Sequence, residues 1–112
     1  MHAEAYSAAE VLHGPVSIVG SGFPVLAFSL PDQSERHVLE VCRRIAGQGA
    51  SVFIAGAAIA GATRLPVVST GHALTDTLTR ITSFYGFVET LSRHRGLNPD
   101  QPRHLRKVTE TV

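Results

Sequence analysis

The chain has 112 residues, 44% of them hydrophobic, and 10 Lys and Arg against 9 Asp and Glu give a formal charge of +1. That length holds one domain with one core. No basic run exceeds Arg43–Arg44 or Arg106–Lys107, so a nucleic-acid interface, which gathers Lys and Arg on one face, is not expected. No apolar stretch reaches the roughly 18–20 residues that span a bilayer. The N-terminus shows no basic segment followed by an apolar one, so no signal peptide is expected. The single cysteine, Cys42, has no internal disulfide partner, which suits a reducing cytoplasm.

Ser7-Ala8-Ala9-Glu10 has the Ser-x-x-Glu form of a capping box, in which each side chain serves the other's backbone N–H, and it predicts a short helix. Gly14-Pro15 ends that helix, which puts His13 at its C-terminal end. Val16–Val19 is apolar but bounded by glycines, and the pattern does not decide its conformation. Val25–Phe28 and Val52–Ala55 are continuous apolar runs, the pattern of strands buried on both faces of a parallel sheet. Between them Val38, Leu39, Val41, Cys42, Ile45 and Ala46 recur at helical spacing, and Gly47 and Gly49 supply the stop. Strand, helix and strand at this length make a βαβ unit. Pro66–Ser69 reads as a third strand. Leu74, Leu78, Ile81, Tyr85 and Val88, joined by Phe84 and Leu91, mark one stripe of a long helix. Arg93, His94 and Arg95 suit the negative end of its dipole, and Gly96 ends it. The expected class is α/β, a parallel sheet flanked by helices, over residues 1–96, with an extended tail over 97–112. Two or three strands are few for such a sheet, so the expectation is the second half of a longer protein, with a small complete α/β domain as the alternative.

The two ends carry a resemblance. His2-Ala3-Glu4-Ala5-Tyr6-Ser7-Ala8-Ala9-Glu10-Val11-Leu12-His13-Gly14-Pro15 closely resembles the HAEAY…E-x-x-HGP segment in the second SIS (sugar isomerase) domain of the glucosamine-6-phosphate synthase and deaminase group. Asp100-Gln101-Pro102-Arg103, followed by Leu105 and Lys107, resembles that family's DQPR-x-L-x-K tail. The pair in order covers nearly the whole chain. The resemblance implies a Rossmann-like fold, and interconversion of phosphorylated aldoses and ketoses coupled to gain or loss of an amino group. It also implies that His13 opens the sugar ring and that Lys107 holds the open-chain ketose as a Schiff base. Glu10 and Arg103 become candidate substrate-binding residues.

These roles fit the residue types. Ring opening moves a proton between the anomeric hydroxyl and the ring oxygen, and imidazole, with an ordinary pKa of about 6.5, suits that task near neutrality. A Schiff base needs a neutral amine, and Arg103 and Arg106 stand close in sequence to Lys107, where positive charge would favour that form. Bland roles stand beside the chemical ones: Glu10 is first a capping residue, Glu4 a structural hydrogen-bond partner, Tyr6 a packing residue. Ser69-Thr70-Gly71-His72 reads first as a strand-to-helix turn, and Cys42 as an inert core thiol. The histidines show no metal-ligand spacing, so neither metal nor other cofactor is expected.

The chain also departs from the family. Leu12 stands where the synthases favour lysine, and the ending Lys107-Val108-Thr109-Glu110-Thr111-Val112 differs from theirs. That ending leans toward the ammonia-releasing deaminase and general sugar-isomerase branches over the glutamine-dependent one. The family's proton-shuttling carboxylate and phosphate-holding Ser/Thr loop belong to segments that would precede this one. A first SIS domain, a sugar phosphate and a second copy in a homodimer are therefore the expected partners. A sugar-phosphate sensor module is the non-enzymatic alternative; such a module needs no Schiff-base lysine.

Overall fold

A computed structural model describes residues 3–101. The chain divides into two compact units, Met1–Arg80 and Ile81–Val112.

The first unit opens with helix α1 (Ala8–Leu12), and the expected capping box is formed. The Ser7 N–H donates to Glu10 Oε2 at 2.8 Å and the Glu10 N–H donates to Ser7 Oγ at 3.3 Å. Pro15–Ile18 then forms a 3-10 turn, which settles the undecided run. Pro15 has no N–H to waste at the first position, and the Ser17 N–H closes the turn on the Gly14 carbonyl at 2.9 Å.

Strands β1 (Pro24–Phe28), β2 (Ser51–Ala55) and β3 (Ala62–Leu65) form a parallel sheet in the order β1-β2-β3, and helix α2 (Glu35–Gly47) joins β1 to β2. The register sets Leu26 beside Phe53 and Phe53 beside Thr63. The core comprises Cys42 and Ile45 of α2 with Ala50, Val52 and Ile54, and Val25, Ala27, Val38, Leu39, Ala46 and Ala62 pack against it. The apolar stripe read for α2 thus turns inward. Burial raises the Cys42 thiol above its ordinary value, with Arg43 acting the other way.

Two strand expectations need correcting. The third strand is Ala62–Leu65, not Pro66–Ser69. Pro66 cannot donate to the ladder, so pairing stops before it. The apolar runs are also only partly buried in this chain. In β2, Val52 and Ile54 are buried while Phe53 remains 38% exposed, and Phe28 at the end of β1 is 40% exposed. Successive side chains of a strand point to opposite faces, and only one face of this sheet meets the core just described.

Helix α3 (Ala73–His94) starts in the first unit, where Asp76 and Arg80 are its buried residues while Leu74 and Leu78 lie exposed. Its remainder forms the second unit with the turn that follows. Gly96, at φ 70°, ends the helix as expected: the Gly96 N–H bonds the Arg93 carbonyl and the Leu97 N–H that of Ser92, the two bonds of a Schellman cap. None of the described residues of this unit is buried.

Candidate functional site

His13 is the C-cap of α1. Its N–H donates to the Glu10 carbonyl at 3.0 Å and its ring is exposed. The capping box fixes the single turn that carries it. Glu10 is committed to that box, and the Ser7 N–H followed by the Ser7 hydroxyl holds its carboxyl below the ordinary range. Tyr6 is exposed and donates its hydroxyl to Glu4, which raises the phenol's pKa. Beside α1 an open groove of about 190 Å³ is lined by Leu12, His37, Glu40, Val41 and Arg44. Arg103 and Lys107, the candidates in the tail, lie outside the described residues.

A second cluster, unread in the sequence, ties the carboxyl ends of the strands together, where ligands of open parallel sheets bind. Ser29, which follows β1, is 1% exposed and accepts the Ala57 N–H at 3.0 Å. Gly56, which follows β2, has φ 144°, and a Cβ there would stand 2.1 Å from Ser29 Oγ. Its carbonyl accepts Arg64 Nε at 3.1 Å, so β3 is tied to the same point.

A third cluster sits at the start of α3. Asp76, fully buried, accepts the Thr70 N–H at 2.6 Å and the Thr70 hydroxyl at 2.8 Å, and Ser69 Oγ lies 3.4 Å away. The Thr70 backbone N–H, then its hydroxyl, hold the Asp76 carboxyl below its ordinary value; burial works against them. Arg80 Nη2 stands 3.9 Å from Asp76, while Arg80 Nε and Nη1 are buried without a hydrogen-bond partner among the described residues. The expected turn over Ser69–His72 is therefore a polar knot held by its own helix. The Asp-x-x-x-Arg spacing was the one sequence signal for it. Among the described residues no group of three metal-ligating side chains assembles, and no helix is long and apolar enough to cross a membrane.

No family model matches the chain. Curated relatives do. The whole chain aligns at 34% identity with the isomerizing glutamine–fructose-6-phosphate aminotransferase of Sulfolobus acidocaldarius and at 33% with that of Pyrobaculum aerophilum, covering 19% of each. At 32% identity, 93% of the chain aligns with the Streptococcus pneumoniae enzyme of the same name, covering 17% of it. The chain thus spans about a fifth of the length of these relatives. Among solved structures, a phosphosugar isomerase from Silicibacter pomeroyi superposes with a TM-score of 0.80 at 52% identity, over 88% of this chain and 30% of that one. The three-stranded parallel sheet, the two terminal motifs and these relatives agree with a SIS (sugar isomerase) domain, similar to part of the isomerizing aminotransferases and the phosphosugar isomerase it matches.

Proposed function

We propose that the chain is a sugar-phosphate-binding SIS segment of an enzyme that interconverts an amino-aldose phosphate and a ketose phosphate. The observation that carries this reading is His13, held by a formed capping box in a chain 52% identical to a phosphosugar isomerase over most of its length. His13 moves a proton between the anomeric hydroxyl and the ring oxygen, opening the ring. Lys107 takes the C2 carbonyl of the open-chain ketose as a Schiff base: the neutral amine adds to carbon and water leaves. Arg103 and Glu10 contact the sugar phosphate. A first SIS domain supplies the phosphate loop and the C1–C2 proton shuttle, and two copies pair as a homodimer in the cytoplasm.

Nitrogen is released as ammonia in this reading, supported by the residues of the ending, Lys107–Val112. The names of the curated relatives favour a second reading, in which the same segment serves a glutamine-dependent aminotransferase.

A segment exchange tests the proposal. This chain replaces its matching portion of the Silicibacter pomeroyi isomerase, and turnover of a cyclic sugar phosphate is compared with that of an open-chain analogue. The hybrid is expected to turn over, and His13→Ala to slow the cyclic substrate by about 10²–10⁴-fold, the usual worth of a general acid–base, with far less effect on the open-chain one. Equal losses on both would remove His13 from ring opening.

A further inference from the structure

Asp76 and Arg80 are opposite charges that stop short of each other. Both lie in the first unit and are 0% and 7% exposed. Asp76 Oδ1 accepts the Thr70 N–H at 2.6 Å and the Thr70 hydroxyl at 2.8 Å. Its Oδ2 has long contacts, 3.4 Å to Ser69 Oγ and 3.9 Å to Arg80 Nη2. The second is too long for a hydrogen bond. Arg80 Nε and Nη1 are buried and have no hydrogen-bond partner among the described residues. Unpaired buried donors on a charged group are costly, and here a carboxylate stands about 1 Å beyond bonding distance.

The donors around Asp76 differ in what else they reach. Thr70 is exposed, so water takes its N–H when the carboxylate leaves. Its hydroxyl already lies 3.3 Å from the His72 carbonyl and meets the Thr75 hydroxyl. Arg80 Nε and Nη1, being buried, have no such outlet. Asp76 and Arg80 are four apart on one face of α3, so rotating the two side chains brings them together without moving the helix. A fork of both carboxylate oxygens onto the guanidinium, the strongest pairing these groups make, takes Oδ1 off Thr70.

We propose that Asp76 is a two-position latch. In one position Oδ1 holds Thr70 and closes the Ser69–His72 turn, the arrangement described above. In the other both oxygens pair with the Arg80 guanidinium and the turn is released. Arg80 is a positioning residue in this device: its unpaired donors draw the carboxylate away and so set how often the turn opens. Two discrete side-chain arrangements of nearly equal free energy are the usual basis of such a switch. An Arg80 whose charge merely steadied Asp76 in place would have the opposite effect on the turn.

Amide hydrogen exchange followed by nitrogen-15 NMR tests the latch. In the wild type the Thr70 N–H is expected to exchange on the order of 10-fold faster than the amides of β2, by local opening. Arg80→Met keeps a long side chain and a good helix former while removing the second set of donors. Thr70 should then exchange on the order of 10-fold more slowly relative to β2, the worth of a hydrogen bond to a charged group. Thr70→Val removes the hydroxyl that holds Oδ1. The amide at position 70 should then exchange on the order of 10-fold faster, and the Arg80 Nε–H should gain protection. Far-UV circular dichroism checks each variant's fold, and Thr70→Val, a change at an exposed position, decides even if Arg80→Met unfolds. Thr70 exchange no faster than that of β2 in the wild type would overturn the latch. So would Thr70 exchange that is unchanged or faster in Arg80→Met, or an Arg80 Nε–H that gains no protection in Thr70→Val.

Discussion

Gly56→Ala should unfold the carboxyl end of the sheet, and the size of the effect follows from the geometry. The added Cβ would stand 2.1 Å from Ser29 Oγ and 2.7 Å from the Ser29 carbonyl oxygen, at a residue whose φ is 144°. A side chain held in backbone territory that glycine alone occupies freely costs about 1–3 kcal/mol, and overpacking a tight site about 1–3 more. Relief by moving Ser29 would break its bond to the Ala57 N–H. A loss of about 4 kcal/mol is a large part of the 5–15 kcal/mol that holds a typical domain. At about 4–8 °C per kcal/mol for a domain of 60–100 residues, the melting point should fall by about 15 °C or more. The control is Gly47→Ala, at the end of α2, where a Cβ meets nothing within 4 Å; alanine there should be neutral or gain up to about 1 kcal/mol. Urea unfolding followed by circular dichroism measures both. Adding Ser29→Ala to Gly56→Ala should recover only part of the loss, since the backbone oxygen remains in the way. A Gly56→Ala protein within 1 kcal/mol of the wild type, by the scale of ordinary surface changes, would refute the reasoning.

Asp76 should give the protein an acid limb. Its folded pKa lies below the ordinary 3.8, so its stabilisation is fully present above that value and is lost as pH falls toward the lower folded one. Urea midpoints between about pH 2 and pH 5 should therefore decline less steeply in Asp76→Asn; identical slopes would contradict the bonding seen at Thr70. Cys42, buried and with its thiol raised, should react with an aromatic disulfide reagent only at the rate of unfolding; rapid labelling of the native chain would show the core to be open there. In the exchanged isomerase, borohydride with fructose 6-phosphate should trap an adduct on Lys107 that Lys107→Ala abolishes, and trapping that persists unchanged would return Lys107 to a solvated charge.

Where one physical rule governed an element, the sequence was enough to place it. The capping box at Ser7 and Glu10, the inward stripe of α2 and the glycine stop after α3 all formed, because each depends on neighbours within a turn or two. The strand cores at Val25–Phe28 and Val52–Ala55 were legible for the same reason, but their burial was not. An apolar run does not say how deeply each side chain is buried, and Phe53 and Phe28 stay partly exposed. The third strand slipped because Val67 and Val68 outweighed the missing N–H of Pro66. Of the site, His13 was placed correctly at the end of α1. The ties among Ser29, Gly56 and Arg64, and between Thr70 and Asp76, join residues whose proximity depends on the sheet and the loop closing, so no local pattern announced them.

Direct binding tests the central claim, that this chain handles a phosphorylated amino sugar. Nitrogen-15 NMR of the protein, titrated with glucosamine 6-phosphate and in parallel with glucosamine, reports each backbone amide. The account predicts saturable shifts centred on Glu10–Gly14 and on the tail around Lys107 with the phosphorylated sugar, and at least tenfold weaker binding of the unphosphorylated one, the discrimination set by a charge-assisted contact to phosphate. Equal responses to both sugars, or no shift at those residues, would contradict it.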